Sequence, residues 1–105
     1  MSLNDGLTDE QKWIIEEIKE HLPFILEHVP NPDKSRALLG MAYEYFLMDM
    51  EDEAYALLLK ADPEYFKDQL KEDMVMIPNM RQIVFRIMGK LVELGLVKVV
   101  TDEED

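Results

Sequence analysis

The sequence predicts an all-α fold, a compact bundle of about five helices around one shared core. Apolar residues recur at helical spacing in several segments, and helix start and stop signals bound those segments. A chain of 105 residues with 48% hydrophobic residues is also large enough for one core. We therefore expect a flexible N-terminus over residues 1–7, a single helical domain over residues 8–100 and an acidic disordered tail over residues 101–105.

The first helix is predicted from a capping box, Thr8-Asp9-Glu10-Gln11. In such a box the Thr8 hydroxyl and the Gln11 side chain each accept a hydrogen bond from the other residue's backbone N–H. One broad stripe of this helix has the spacing of a core face: Ile14, Ile15, Ile18, Leu22, Ile25, Leu26 and Val29. Pro23 lacks a backbone donor, so we expect it to interrupt and kink the helix.

A second face of the first helix mixes aromatic, acidic and histidine side chains. Its members are Trp13, Glu17, His21, Phe24 and His28. Because these residues project away from the apolar stripe, we treat this face as a candidate partner-binding surface. The histidines and nearby glutamates do not match the spacing of any tight metal site, so exposed histidines explain the pattern better.

Two further helices are predicted in the middle of the chain. Apolar side chains point in nearly every direction over residues 34–48, which is typical of a central helix, and Asp33 is expected to cap it. Residues 49–53 form an acidic linker into a third helix that should end near Ala61. Gly40 lies inside the second helix, where glycine costs about 1 kcal/mol against alanine, so we expect a compensating close helix crossing.

The fourth helix is predicted to start directly at Asp62-Pro63, a cap followed by proline in the first helical position. Phe66, Leu70 and Met74 then recur every four residues and should face inward. The apolar run Met74-Val75-Met76-Ile77 comes after them, between two helices. Core filling is the commoner use of methionine at helical spacing, but this run either caps the core or stays open to a partner.

The fifth helix is predicted over residues 79–94, with Gly95 as a left-handed stop. Its apolar stripe consists of Met80, Ile83, Val84, Ile87, Leu91 and Leu94. Gly89 lies inside this helix and predicts a second close crossing. Residues 97–100 are predicted to form a short strand or an extended tail.

The composition disfavours several classes of function. With 11 Lys and Arg against 23 Asp and Glu, the net charge of −12 repels nucleic-acid phosphates and anionic lipid. This acidity serves solubility, or it serves a basic partner or mimicry of a phosphate backbone. Cysteine is absent, which rules out disulfides and thiolate metal sites. No apolar run approaches the about 20 residues of a membrane span and no signal peptide is recognisable, so we expect a soluble, cytoplasmic protein.

No arrangement typical of an enzyme is found in the sequence. The serines are Ser2, in the tail, and Ser35, in the first turn of a helix, and the four glycines form no phosphate loop. The acidic residues 49–53 lack the alternating ligands and central glycine of an EF-hand. We therefore predict no enzymatic activity, no metal and no cofactor.

Residues 34–63 resemble a single tetratricopeptide hairpin. The resemblance rests on Leu39-Gly40-x-x-Tyr43, on Ala54 and Ala61, and on Asp62-Pro63 after them. It implies two paired helices held close by small residues, and a helical adaptor that binds peptide segments. A solitary repeat does not form the family's concave groove, so none of the family's peptide-binding residues is carried over.

Residues 79–100 resemble the end of a winged-helix domain, where a recognition helix runs into Leu-Gly-Leu-Val and a strand. Arg81, Arg86 and Lys90 form a candidate basic patch. With Lys98 and against Glu93 the segment has a local charge of 4 − 1 = +3. The resemblance implies DNA binding, although a helix that pairs with its own acidic neighbours explains the same charges.

These observations support three hypotheses. The first is a noncatalytic protein–protein interaction module or small helical adaptor that can also form a homodimer. Its candidate partner-binding residues are Trp13, Glu17, His21, Phe24, His28, Met74, Met76 and Ile77. The second is an acidic, phage-type regulator that inhibits a basic nucleic-acid-binding protein by mimicking nucleic acid. The third is a winged-helix-like DNA-binding regulator. We expect a protein partner, with neither nucleic acid nor membrane bound.

Overall fold

The structure is a computed structural model that describes residues 6–95. Within that range it contains five α-helices, two short 3-10 turns and no strand. The helices are α1 (Asp9–His28), α2 (Asp33–Leu47), α3 (Glu51–Leu58), α4 (Lys67–Met76) and α5 (Arg81–Glu93). The all-α prediction with five helices is confirmed. The predicted strand or tail over residues 97–100 and the acidic tail lie outside the described residues, as does most of the predicted flexible N-terminus.

Contacts divide the chain into two units, an N-terminal unit that ends at Ala61 and a C-terminal unit that begins at Asp62. The N-terminal unit contains α1, α2 and α3. The C-terminal unit contains α4, α5 and both 3-10 turns. The sequence-based expectation of a single domain stays a prediction.

The predicted capping box starts α1. The backbone N–H of Gln11 donates to Thr8 Oγ1 over 3.1 Å, and the N–H of Thr8 donates to Gln11 Oε1 over 3.0 Å. Ile15 and Ile18 are buried, whereas the other members of the predicted stripe are half-buried. The expected interruption at Pro23 is wrong, because the helix continues through it to His28.

In the N-terminal unit, α2 packs against both α1 and α3. Leu38 and Ala42 on α2 and Ala54 on α3 are completely buried. The Phe46 and Tyr55 rings meet edge to face with centroids 5.2 Å apart. The central position predicted for α2 is thus confirmed within this unit.

The start of α2 differs from the prediction. Asp33 is the first helical residue and not the cap, and Pro32 in the cap position has no side-chain donor or acceptor to offer. Instead, the Ser35 hydroxyl donates to Asn31 Oδ1 over 2.7 Å, which ties the preceding turn to the first turn of the helix. Asp33 still lies where a carboxylate complements the helix dipole.

The close crossings expected at Gly40 and Gly89 are wrong. Both glycines are exposed, and a Cβ added at either would meet nothing within 4 Å. The apolar residues that bury α2 and α5 lie on the other sides of these helices, so each glycine falls on an outer surface. Nothing in the described chain therefore compensates their cost of about 1 kcal/mol each relative to alanine.

The C-terminal unit begins with a capped 3-10 turn, where the N–H of Glu64 donates to Asp62 Oδ1 over 3.0 Å. The cap was predicted correctly, but the turn at Pro63–Tyr65 delays the start of α4 to Lys67. Phe66 and Leu70 are buried as predicted.

The fifth helix packs against α4 and ends as the sequence predicts. A 3-10 turn at Pro78–Met80 occupies the first residues of the predicted segment, so α5 itself starts at Arg81. The buried residues of α5 are Val84, Ile87 and Leu91. Gly95 has a φ of 75° and forms the left-handed stop, while Leu94 in the C-cap position is exposed and does not join the buried stripe.

Candidate interaction surfaces

The side of α1 turned away from the core carries two large aromatic residues, Trp13 and Phe24, which are 62% and 61% exposed. Successive helical residues are rotated by about 100°, so these two residues project within about 20° of one line. Ile15 and Ile18 project to the opposite side and are buried. The two aromatic residues are about 16 Å apart along the helix axis.

Acidic and histidine side chains surround the two aromatic rings. His21 Nε2 lies 3.1 Å from Glu17 Oε2, and the His28 ring lies against the Phe24 ring with centroids 5.0 Å apart. The structure therefore brings all five predicted residues of this face together on the solvent side of α1. With Glu20, which is also exposed, they form a surface that we call the α1 outer face: Trp13, Glu17, Glu20, His21, Phe24 and His28.

The electrostatic character of α1 is acidic. Six carboxylates stand against two lysines, which gives 2 − 6 = −4 with neutral histidines; the carboxylates are Asp9, Glu10, Glu16, Glu17, Glu20 and Glu27. Helical projection places Glu17, Glu20 and Glu27 within about 60° of the Trp13 line. The lysines, Lys12 and Lys19, project about 100° or more away from it. The two rings are thus bordered by carboxylates rather than by ammonium groups.

Three side chains on α1 carry atoms of the type that coordinate metal ions. Ligand atoms of Glu17, Glu20 and His21 all lie within 4.8 Å of one another. Glu20 and His21 are exposed, and Glu17 is already paired with the histidine. Structural metal sites use four ligands with supporting hydrogen bonds, so this trio is better described as a solvated charged surface.

The loop between α2 and α3 forms a second acidic region, a shallow depression that Gly6 and Leu7 also line. Asp49 adopts a left-handed conformation with a φ of 64°, and Glu51, Asp52 and Glu53 form the first turn of α3. Carboxylates in this position stabilise the positive end of a helix dipole. The acidic residues at the start of α3 are therefore explained by their stabilising effect on that helix.

The apolar run at the end of α4 is exposed. Val75 and Met76 are each 70% exposed and Ile77 is 43% exposed, while Met74 is half-buried. The run was expected between two helices, but α4 continues through Met76, so its first three residues form the last turn of that helix. Of the two roles considered for the run, capping of the core is wrong for the three exposed residues.

Sequence reasoning missed an exposed apolar line on α5. Phe85 is 57% exposed and Val92 is 39% exposed, with the exposed Gly89 between them on the same side. Spacings of four and three residues place them on one helix face, and that periodicity could have revealed them. Together with the exposed Arg81 we call this line, Arg81, Phe85, Gly89 and Val92, the α5 outer face.

Of the basic residues of α5, Arg81 belongs to this line, whereas Arg86 and Lys90 project about 100° or more away from Phe85. Arg81 Nε donates to the Met74 carbonyl over 3.3 Å, which joins the start of α5 to the end of α4. Lys90 is half-buried and forms an ion pair of 4.0 Å with Glu93, and Arg86 is exposed. The charge of the helix is 3 − 1 = +2, in contrast to the acidic α1.

Comparisons of the chain with protein-family models, with curated proteins and with solved structures found no match. Among residues 6–95, no helix combines the length and the apolar character needed to cross a membrane. The surfaces that bear on function are therefore the α1 outer face and the α5 outer face.

Proposed function

We propose that the protein is a noncatalytic protein–protein interaction module whose α1 outer face binds a basic amphipathic segment of a partner. The observation that carries the proposal is the pair Trp13 and Phe24, both more than half exposed on the side of α1 opposite its core. Because more than half of each side chain is exposed, neither ring stabilises the N-terminal unit as much as a buried aromatic side chain would. Exposed aromatic residues of this kind are enriched at the centres of interfaces.

The binding energy available from these rings is substantial. Aromatic side chains bury about 150–250 Å², and burial yields roughly 25 cal/mol for each Å². Covering the exposed parts of Trp13 and Phe24 would therefore stabilise a complex by about 2–4 kcal/mol for each ring. Because association itself costs at least about 4 kcal/mol, the two anchors alone do not reach micromolar affinity, and contacts with the residues around them have to contribute as well.

The carboxylates around the rings determine the chemistry of the partner. Glu17, Glu20 and Glu27 border the aromatic pair, so a partner with Lys or Arg beside its apolar residues is favoured. An acidic partner is disfavoured by like-charge repulsion. Ion pairs between a basic partner and these glutamates, at the rim of the interface, accelerate association and weaken as salt is added. The aromatic contacts persist in salt.

A second candidate function is favoured by the net charge of −12. An acidic regulator would bind a basic nucleic-acid-binding protein through carboxylates alone and would release it at moderate salt. The third hypothesis, DNA binding through Arg81, Arg86 and Lys90, stays a prediction. We also propose a cytoplasmic location, with which a sequence without cysteine is compatible.

The tetratricopeptide resemblance supports an adaptor role only in part. In its favour, α2 and α3 form a helical hairpin in which Ala54 is completely buried. Gly40, however, faces open space, whereas the resemblance implies that it lies at a close helix contact. We therefore base the proposal on α1 and not on the hairpin.

The experiment uses Trp13, the only tryptophan of the chain, as an intrinsic probe. A helical Leu/Lys peptide is titrated into the protein, and a Leu/Glu peptide of the same pattern serves as the comparison. We expect the Lys peptide to shift the Trp13 emission to shorter wavelength, with weaker binding at about 0.5 M salt. The Glu peptide should cause no shift.

Two variants make this titration specific to the α1 outer face. Phe24→Ser removes one anchor and should weaken binding about 10-fold to 100-fold. Leu59→Ser is the matched control, because Leu59 is a similarly exposed apolar residue (59%) of the same unit but not of this face. An equal response to both peptides, or equal losses in the two variants, would show that the face is not the binding site.

A further inference from the structure

We propose that the α1 outer face binds the α5 outer face of a second copy of this chain. The proposal rests on the proposed function, since it names the partner of the same aromatic surface. It is argued from the glycine in α5, from the charges of the two helices and from the spacing of their apolar residues.

The first argument is the unexplained position of Gly89. A glycine inside a helix is destabilising unless its small size serves a close contact. No described residue would touch a Cβ at this position, so residues 6–95 make no such contact within the chain. Because Phe85 and Val92 flank Gly89 on the same exposed side, another helix could approach the α5 backbone there with apolar contacts on both sides.

The second argument is the charge of the two faces. A contact between two α1 helices would bring together charges of −4 and −4, and two α5 helices would oppose +2 and +2. Only the mixed pairing is complementary. In a chain with a net charge of −12, contacts between two acidic surfaces are disfavoured by mutual repulsion, so electrostatics favours the basic α5 on one side of the interface, and the exposed aromatic residues favour α1 on the other.

The third argument is the match in spacing. Phe85 and Val92 are about 10 Å apart along α5, and Trp13 and Phe24 are about 16 Å apart along α1. Two crossing helices meet over a few turns, so one aromatic ring of α1 can lie over Gly89 between the two apolar side chains. Arg81, which lies on the α5 outer face, is then on the side that meets the glutamates bordering the rings.

The test mixes two variants that each lack one face. Trp13→Ser keeps the α5 outer face and contains no tryptophan, whereas Phe85→Glu keeps the α1 outer face and the only tryptophan of the mixture. Both substitutions replace exposed side chains, and far-UV circular dichroism checks that each variant folds. If Phe85→Glu does not fold, Val92→Glu replaces it.

We expect each variant to remain monomeric in sedimentation at concentrations where the unmodified chain associates. Titrating Trp13→Ser into Phe85→Glu should then produce particles of two chains, one of each variant, and shift the emission of Trp13 to shorter wavelength. An unmodified chain that stays monomeric up to about millimolar concentration would overturn the proposal, and so would a mixture that gives no shift. If the Leu/Lys peptide still binds in those cases, the proposed function stands and only the self-association fails.

The two exposed glycines provide a matched control. Gln is a good helix former with a long polar side chain, so Gly89→Gln and Gly40→Gln should both fold. We expect Gly89→Gln to weaken self-association by at least about tenfold and Gly40→Gln to leave it unchanged. Equal effects of the two substitutions would contradict a helix crossing at Gly89.

Discussion

The helices α1 and α5 have a similar arrangement of buried and exposed residues but opposite net charge. Each buries one apolar stripe within its own unit and leaves aromatic side chains on the other side: Trp13 and Phe24 on α1, and Phe85 on α5. On α1 the aromatic residues lie among carboxylates and the helix charge is −4, whereas α5 has a charge of +2. The net charge of −12 is therefore unevenly distributed, and α5, the one basic helix within residues 6–95, also carries an exposed apolar line.

We infer from this difference that the outer faces are not determined by folding alone. A helix that only covers a core needs polar residues on its solvent side, and alternatives such as Lys or Gln would serve at position 13 or 85. Large aromatic residues in both places, with opposite charges around them, are better explained by contacts outside the chain. Substitutions should therefore separate residues that stabilise the fold from residues that bind.

The largest expected effect compares two phenylalanines of the C-terminal unit. Phe66 is completely buried and Phe85 is 57% exposed. We expect Phe66→Ala to lower the free energy of unfolding by about 3–5 kcal/mol, because it leaves a cavity, and Phe85→Ala to lower it by less than about 1 kcal/mol. Urea denaturation measures both. Similar losses would show that the α5 outer face is part of the core.

The next effect is on binding through the α1 outer face. Replacing Glu17 and Glu20 by Lys changes the local charge by +4 while leaving both aromatic anchors in place. We expect the affinity for the Leu/Lys peptide to fall at least about tenfold and that for the Leu/Glu peptide to rise. Fluorescence titration at low salt measures both affinities. The idea of charge selection fails if the preference between the two peptides does not change.

The glycines should affect stability in opposite directions. Gly40→Ala and Gly89→Ala add a methyl group in open space within a helix, so each should raise the free energy of unfolding by about 0.5–1 kcal/mol. Gly95→Ala should lower it by about 1 kcal/mol, because the φ of 75° at this position is unfavourable for alanine. Thermal unfolding of the three variants distinguishes these outcomes, and a destabilised Gly40→Ala would indicate a contact at that position.

The smallest effect concerns pH. Burial, assisted by the Glu53 carboxylate, raises the pKa of Tyr45 above its usual 10.0. The folded state therefore holds the Tyr45 proton more tightly than the unfolded state, so this contribution to stability is complete below pH 10.0 and is lost as the pH rises through the raised pKa.

Tyr45→Phe removes this ionisation and provides the control. The difference in stability between the unmodified protein and the variant should change above the ordinary tyrosine pKa by less than about 1.4 kcal/mol for each pH unit. Urea denaturation at a series of alkaline pH values measures it. A difference that is constant with pH would show that Tyr45 is not desolvated in the folded protein.

Local chemistry allowed much of the fold to be predicted from the sequence. The capping box at Thr8, the Asp62 cap and the stop at Gly95 each depend on neighbouring residues alone, and all three are present. The predicted roles of Gly40 and Gly89 were wrong because a glycine's position in sequence does not reveal which side of the helix is covered. That depends on tertiary packing, which spacing alone does not determine.

The candidate surfaces were predictable only where the exposed face has a clear composition. The mixture of aromatic and acidic residues on α1 was visible at helical spacing, and the structure places those residues on one face. On α5 the apolar stripe of the core is the dominant periodic pattern, and the weaker pattern of Phe85 and Val92 on the exposed side was not recognised. At the end of α4, the exposure of Val75 and Met76 depends on where the helix ends, and boundaries are the least predictable part of a helix.

The central claim, that the α1 outer face is a binding surface, is tested most directly by the single indole N–H resonance of Trp13 in a ¹H–¹⁵N spectrum. The labelled protein is titrated with the unlabelled Leu/Lys peptide. We predict that this resonance shifts together with backbone amides of α1 and saturates, while the amides of α3 stay in place. An indole resonance that does not move while other amides respond to the peptide would contradict the claim.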